Sequence, residues 1–144
     1  MPTNNRVSHF VENYDRACTF CTLKGDRPCP EESFVHKFFG CGHTSALINN
    51  LVAEWGLVNF NTTQKREFIF GNRNDSQITG NNFVKCVKWV FLLLIWESKL
   101  KKMLRSWNSL KTDLIFLVKV QLDSSQKLRE EKAALNLNFT RYWP

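Results

Sequence analysis

Four of the five cysteines in this 144-residue chain lie between residues 18 and 43, together with two of its three histidines. Cys18 and Cys21 have the Cys-x2-Cys spacing of a zinc knuckle, in which two thiolates on a tight turn reach one ion at a Zn–S distance of about 2.3 Å. A structural zinc ion prefers four nitrogen and sulfur ligands in a closed tetrahedral shell, so two more ligands are required. The candidates in this segment are Cys29, His36, Cys41 and His43.

The pair Cys41-x-His43 offers one way to complete the shell. It stands directly before a predicted helix, and the positive end of a helix dipole stabilises a nearby thiolate. With the knuckle, the pair forms a treble-clef-like arrangement, in which two further ligands lie at a helix N-terminus. On this basis we predict that zinc binds to Cys18, Cys21, Cys41 and His43.

His36 and Cys29 are alternative ligands, and His36 gives a second complete set. The spacing Cys18-x2-Cys21-x14-His36-x4-Cys41 places the histidine on a short predicted helix. This spacing resembles the inhibitor-of-apoptosis (BIR) repeat, in which two knuckle cysteines are followed by a histidine and a last cysteine on and after a helix. Both longer gaps are shorter than in that repeat, and its tryptophan is missing. The resemblance therefore implies similar local architecture, without a peptide-binding groove.

The same residues are also compatible with a cysteine hydrolase. Such an enzyme needs a thiolate of low pKa with a histidine within hydrogen-bond distance, and Cys41 with His36 or His43 could supply both. Cysteines spaced this closely are more often metal ligands, although buried thiols that only pack are a further alternative. Neither a glycine-rich phosphate loop nor the Pro-Cys-x2-Cys pattern of zinc deaminases is present. We therefore predict a protein that is not an enzyme.

The elements that must position these residues are predicted from hydrophobic periodicity. Apolar residues at helical spacing predict a helix over 44–55 and a long central amphipathic helix over 82–111. The run of branched and aromatic residues at 114–122 predicts a buried strand, and a polar helix capped by Asp123 is predicted to follow over 124–135. Three shorter strands are predicted at 57–60, 67–70 and 135–140.

These elements together predict an α+β fold with a small, mostly antiparallel sheet and an N-terminal zinc-stapled loop. The chain has the size of one ordinary domain, and we predict a single domain over residues 9–144 after a flexible arm at 1–8. Within it, residues 18–43 form the zinc-binding loop and residues 44–144 the α+β core. The polar first residues predict no signal peptide, and no apolar run is long enough to cross a bilayer, so we expect an intracellular protein.

The chain is basic, with a net charge of +7 and a pI near 9.3. Such a balance favours anionic partners, which include acidic protein surfaces and nucleic acids. The long helix and the residues after it carry several lysines and arginines, and the C-terminal segment contains an arginine followed by an aromatic pair. The predicted partner-binding residues are Lys99, Lys101, Lys102, Arg105, Arg141 and Trp143.

These features lead to a hypothesis of function. We expect a small, basic, zinc-binding adaptor or regulatory protein that binds a macromolecule, most simply a protein, through the zinc loop and the basic helix face. Viral accessory proteins include domains of this general kind, which is an analogy only. The alternatives are an RNA- or DNA-binding protein, although no known nucleic-acid-binding signature is present, and the Cys/His hydrolase. The oligomeric state is not predicted.

Overall fold

A computed structural model describes residues 3, 17–25, 32, 36, 41–54, 61–70, 81–135 and 138–144. These residues divide between two units. The first unit comprises Met1–Asn49 and Ile95–Ser106, and the second comprises Asn50–Leu94 and Trp107–Pro144. The predicted flexible arm and the predicted strand at 57–60 lie outside the described residues, apart from Thr3, which is buried.

Helices form all the regular elements of the described part, and the predicted α+β fold with a small antiparallel sheet is wrong for these residues. The predicted strand at 67–70 lies in a helix, the predicted strand at 114–122 is also helical, and the end of the predicted strand at 135–140 is a 3-10 helix. The helices are α1 (Thr19–Lys24), α2 (Gly42–Glu54), α3 (Thr62–Phe70), α4 (Asn82–Leu100), α5 (Trp107–Ser124), α6 (Gln126–Ala133) and the 3-10 helix Asn138–Tyr142.

Helix α5 shows why the strand at 114–122 is not formed. Its buried residues are Leu110, Leu114, Val118 and Leu122, which recur every four positions and therefore share one face of a helix. This repeat begins before the apolar run and continues through it with a helical period. Phe116, which lies within the run but outside the repeat, is exposed. A short apolar run is compatible with either a strand or a helix, and here the longer repeat decides.

The predicted long helix over 82–111 is also wrong in its length, because α4 ends at Leu100. Lys102 adopts the left-handed conformation with φ 51°. Its N–H donates to the carbonyl of Lys99 at 3.0 Å, and the N–H of Met103 donates to the carbonyl of Ser98 at 2.9 Å. These two bonds form a Schellman motif, which normally has glycine at the position of Lys102. The sequence therefore lacks the usual signal for this helix end.

Side-chain caps define the starts of three helices in the second unit. Asn61 and Gln64 form a reciprocal capping box at α3, each side chain accepting the other residue's backbone N–H at 2.9 Å. The side chain of Asn81 accepts the N–H groups of Phe83 and Val84 at the start of α4. Ser125, rather than the predicted Asp123, caps α6, because α5 continues to Ser124.

The predicted helix over 44–55 is present as α2, which begins two residues earlier. It follows Cys41 directly, and α1 follows Cys18 directly. Two of the predicted metal ligands therefore stand at the N-termini of helices. All the groups around them described below belong to the first unit.

Candidate metal centre

Three cysteine sulfurs and one histidine nitrogen of the first unit meet in a single cluster. The ligand atoms of Cys18, Cys21, His36 and Cys41 all lie within 4.8 Å of one another. The Cys41 sulfur is 3.8 Å from the sulfur of Cys18 and 3.9 Å from that of Cys21, and the Cys21 sulfur is 3.3 Å from Nε2 of His36. The three cysteines are buried, and His36 is half-buried.

The two sulfur–sulfur distances and the sulfur–nitrogen distance of 3.3 Å are close to the edges of a zinc coordination tetrahedron. With Zn–S bonds of about 2.3 Å and a Zn–N bond of about 2.0 Å, tetrahedral geometry separates two sulfurs by about 3.8 Å and a sulfur from a nitrogen by about 3.5 Å. The sulfur pairs are also much too far apart for disulfides, whose S–S bonds are about 2.05 Å long. The three thiols are free cysteines, and the four donor atoms could hold one metal ion.

Helix α1 positions the two cysteines of the knuckle. The carbonyl of Cys18 accepts the backbone N–H of Thr22 at 2.9 Å and the Thr22 hydroxyl at 2.8 Å. This single turn brings Cys21 back toward Cys18. Gly25 ends the helix in the left-handed conformation, with φ 79°, which a residue with a Cβ adopts only at a cost. The knuckle is therefore held by a short helix that ends at Gly25.

A backbone hydrogen bond and helix α2 position the other two ligands. The N–H of Cys41 donates to the carbonyl of His36 at 2.5 Å, which holds the backbones of these two residues together. The carbonyl of Cys41 in turn accepts the N–H of Ser45 at 2.9 Å and so begins α2. Cys41 is therefore the N-cap residue of a helix of 13 residues.

The thiols of Cys18 and Cys41 have opposite pKa shifts because they share one hydrogen bond. Donation from the Cys18 thiol lowers the pKa of Cys41 to about 5, and the backbone N–H groups of Thr44 and His43 stabilise the same thiolate against the opposing effect of burial. The same hydrogen bond, together with burial, raises the pKa of Cys18. Cys41 is thus the thiolate of this pair, at the positive end of the α2 dipole.

Positive charge also lies close to Cys41. Zinc with three thiolates and a neutral imidazole would carry a net charge of −1, which requires compensation in a buried site. The Lys24 ammonium lies 3.5 Å from the position that a Cβ atom on Gly42 would take. Lys24 and the N-terminus of α2 therefore place positive charge beside the cluster.

His43, a predicted ligand, is not part of the cluster. Its ring packs against Phe20, with 4.7 Å between the ring centroids. Its Nε2 is buried and makes no hydrogen bond within the described part of the chain, and burial lowers the pKa of the ring. The structure instead brings His36, the alternative ligand, to the three cysteines. Cys29, the other alternative, lies outside the described residues.

The predicted partner-binding residues near the end of α4 have different environments. Lys99 is buried and forms an ion pair with Glu32. Lys101 is exposed and pairs with Glu97 one helical turn earlier at 2.6 Å, and Lys102 is also exposed. Arg105 is half-buried. Two of these four residues are therefore open to a partner.

The C-terminal pair divides in the same way. Trp143 is buried, its indole N–H donates to the carbonyl of Ile115 at 2.9 Å, and its ring meets the ring of Phe83 edge-on. Arg141 is exposed and lies over the ring of Tyr142. Trp143 thus packs into the second unit instead of forming an exposed docking patch.

Glu32 is a residue of this region whose role the sequence does not reveal. In the sequence it resembles one of a pair of solvated surface carboxylates, next to Glu31. In the structure it is fully buried, pairs with Lys99 and accepts the backbone N–H of Thr19, which follows the ligand Cys18. The only signal of this role in the sequence is the position of Glu32. Two prolines and a cysteine precede it, and a ligand histidine follows it.

Comparisons with protein-family models, with curated proteins and with solved structures found no match for this chain. Among the described residues, none of the helices combines the length and the apolar character needed to cross a bilayer.

Proposed function

We propose that the protein binds one zinc ion through Cys18, Cys21, His36 and Cys41, and that this ion has a structural role. The observation that carries the proposal is the agreement between the sulfur–sulfur distances of 3.8 and 3.9 Å and the edges of a zinc–thiolate tetrahedron. Three sulfurs with one imidazole nitrogen form one of the usual ligand sets of structural zinc. Zinc also fits this donor set better than magnesium or calcium, which prefer oxygen ligands.

The closed ligand shell argues for a structural rather than a catalytic ion. A catalytic zinc site keeps one coordination position for water or substrate, whereas four protein donors already meet here. The alternative of a cysteine hydrolase has some geometric support, because the Cys21 sulfur lies 3.3 Å from Nε2 of His36. Cys21 is buried beside a second thiol, however, and a nucleophile must be open to its substrate. We therefore propose a protein that is not an enzyme.

We further propose that the protein is an adaptor whose partner binds at residues 100–104, named here the docking turn. Its three apolar residues are exposed to solvent: Leu100 by 60%, Met103 by 47% and Leu104 by 43%. Lys101 and Lys102 lie between them and are also exposed. Apolar side chains on both sides of a pair of lysines suit an apolar pocket with an acidic rim, which is a feature of protein surfaces. A purely phosphate-binding surface would not need the apolar residues, so we propose a protein partner rather than a nucleic acid.

The zinc proposal is tested by metal analysis of the purified chain. We expect about one zinc per chain for the wild type, because the four donors complete one tetrahedral shell. Cys21→Ser should lose the metal, whereas Cys86→Ser, which alters a cysteine of the second unit, should retain it. Wild-type protein that takes up no zinc after refolding with an excess of the ion would contradict the proposal.

The partner proposal is tested by comparing variants of the docking turn. We expect the double variant Leu100→Ser, Leu104→Ser not to retain the proteins that the wild type captures. This variant should still bind zinc. Labelled duplex DNA and single-stranded RNA serve as the competing probes. Tight binding of either probe would favour the nucleic-acid alternative if the Lys101→Glu, Lys102→Glu variant abolishes it. On duplex DNA, log K should then fall with log salt by about 0.9 for each phosphate contact.

A further inference from the structure

A buried ion pair joins the metal cluster to the end of α4 within the first unit. Nζ of Lys99 lies 2.6 Å from a carboxylate oxygen of Glu32, and their side chains are only 6% and 0% exposed. The other carboxylate oxygen of Glu32 accepts the backbone N–H of Thr19 at 3.4 Å. Thr19 is the residue after the ligand Cys18. One carboxylate therefore contacts both the metal knuckle and the lysine.

Lys99 also belongs to the motif that shapes the docking turn. Its carbonyl accepts the N–H of Lys102, and the carbonyl of the neighbouring Ser98 accepts the N–H of Met103. Ser98 is buried as well. The side chain of Lys99 is thus held by Glu32 while its backbone forms one of the two bonds that fold the turn. A displacement of Lys99 would disturb both its ion pair with Glu32 and the backbone hydrogen bond of the turn.

A buried pair of this kind is sensitive to the loss of either partner. Two charges removed from water are tolerated when they satisfy each other, and deleting one leaves the other unpaired in a poorly solvated site. The orientation of Glu32 depends on the knuckle, because the knuckle supplies one of its hydrogen bonds. Groups that hold metal ligands in place from outside the shell commonly alter the affinity for the metal.

We infer that Glu32 is a positioning residue that couples zinc binding to the conformation of the docking turn. This inference rests on the proposed zinc site. Bound zinc would fix Cys18 and therefore the neighbouring Thr19 N–H, which orients Glu32. Glu32 in turn holds the side chain of Lys99, and Lys99 contributes its carbonyl to the Schellman motif of the docking turn. Zinc binding and an ordered docking turn favour each other by the same factor, as thermodynamic linkage requires. The protein would then bind its partner well only when it holds the metal.

The first test uses the wild type, with hydrogen exchange followed before and after zinc removal by a chelator. We expect zinc to slow exchange of the Lys102 and Met103 amides at least tenfold, because these amides make the two bonds of the turn. Equal exchange rates with and without zinc, in a protein shown to bind one zinc, would overturn the coupling while leaving the zinc site intact. A wild type that binds no zinc would overturn the zinc site and the coupling together.

The second test replaces Glu32 by Gln and measures zinc affinity by competition with a chelator. We expect affinity to fall by about 10- to 100-fold, the range found when groups that orient metal ligands are removed. Glu97→Gln is the matched control, because Glu97 forms an exposed pair with Lys101 and has no described contact with the knuckle. Bound Co²⁺ should keep its tetrahedral absorption in Glu32→Gln, since all four ligands remain.

A variant with Glu32→Leu and Lys99→Met separates positioning from simple stability. Replacing both charges by apolar side chains avoids an unpaired buried charge and should restore thermal stability. The coupling should stay lost, so the Lys102 and Met103 amides should exchange at rates that no longer depend on zinc. Zinc affinity at the wild-type level in Glu32→Gln, or zinc-dependent protection of the turn in the double variant, would contradict a positioning role.

Discussion

Both units bury apolar side chains, but the cysteine-rich first unit also buries a group of thiols and an ion pair. In the second unit, α5 buries an unbroken row of leucines and valine, and the rings of Phe83 and Trp143 pack edge-on. In the first unit, three thiols, a carboxylate and an ammonium group are among the buried side chains. Apolar groups need no ligand in order to be buried favourably, whereas thiolates and ions need a partner for each charge.

The two units should therefore respond differently to the same disturbance. Burial of apolar surface stabilises by about 25 cal/mol per Å² whether or not a metal is present. A metal site contributes its binding free energy to folding only while the ion is bound. We therefore expect the first unit to depend on zinc and the second unit to depend on the packing of its helices.

Removal of zinc should have the largest effect. Apparent binding free energies of structural zinc in finger peptides are about 10–16 kcal/mol, which is comparable to the whole stability of a typical domain. With a strong chelator, we expect the amides of α1 to lose protection from hydrogen exchange while the amides of α5 keep theirs. Helix α5 lies entirely in the second unit, and its buried row contains no metal ligand. Simultaneous loss of protection in both helices would contradict the separation.

A substitution in the apolar row of α5 should have the next largest effect and the opposite pattern. Leu114 is completely buried, whereas Leu117 on the same helix is 38% exposed. Leu114→Ala should lower the free energy of unfolding by about 2–5 kcal/mol through lost burial and the cavity left behind. Leu117→Ala should cost less than about 1 kcal/mol. Chemical denaturation measures both values, and equal losses would show that the buried row does not form the core.

The zinc affinity of Leu114→Ala is the second measurement that compares the two units. Leu114→Ala leaves every ligand of the cluster in place, so its folded form should bind zinc as tightly as the wild type does. A zinc affinity that falls in step with the stability of Leu114→Ala would show that the second unit also controls the metal site. That result would remove the contrast between the two units.

The smallest effect is expected at a hydrogen-bonded ion pair of the second unit. Nζ of Lys111 lies 3.0 Å from a carboxylate oxygen of Glu54, and the Tyr142 hydroxyl donates to the other oxygen at 3.0 Å. Burial opposes ionisation of Glu54, but the hydrogen bonds from Lys111 and Tyr142 outweigh it and lower the pKa of this carboxyl. Tyr142→Phe removes this bond and the one that the hydroxyl accepts from Lys111 at 2.6 Å. At about 0.5–1.5 kcal/mol for each bond, it should cost about 1–3 kcal/mol.

The direction of the pH dependence follows from the lowered pKa of Glu54. Its stabilising contribution is fully present above its usual pKa of 4.5 and is lost as the pH falls through the lower value of the folded protein. The pKa of Lys111 is raised, by hydrogen bonds that outweigh burial, so its contribution is lost only as the pH rises above its usual 10.5. Glu54→Gln should therefore lower the melting temperature at pH 7 and have a smaller effect at pH 3. An equal effect at both pH values would contradict this assignment.

The sequence predicts the knuckle well because its ligands are close together in the chain. Cys18 and Cys21 are one helical turn apart, so local geometry alone brings their sulfurs together. The choice between His36 and His43 is different, because it depends on which of the two comes close to three cysteines in the folded chain, and the spacing along the sequence leaves both possible. In the structure, a backbone hydrogen bond from Cys41 to the His36 carbonyl accompanies the choice of His36, and no residue pattern indicates that bond.

The sequence is a poorer guide to the helices of the second unit and to the end of α4. Branched and aromatic residues favour strands, but the four-residue repeat from Leu110 to Leu122 outweighs that preference in α5. Helix α4 stops at a Schellman motif in which a lysine, Lys102, takes the place usually held by glycine. The burial of Glu32 depends on Lys99, 67 positions further along the chain, which no local pattern can indicate. Contacts of this length belong to tertiary structure alone.

The zinc ligand set is tested most directly by comparing His36→Ala with His43→Ala in the Co²⁺-substituted protein. Three thiolates and one imidazole give Co²⁺ a tetrahedral visible spectrum that changes when a ligand is replaced by water. We expect His36→Ala to alter the spectrum and weaken metal binding, because Nε2 of His36 lies within the cluster. His43→Ala should keep the wild-type spectrum, since its ring packs on Phe20. An unchanged spectrum in His36→Ala with a changed one in His43→Ala would contradict the proposed site.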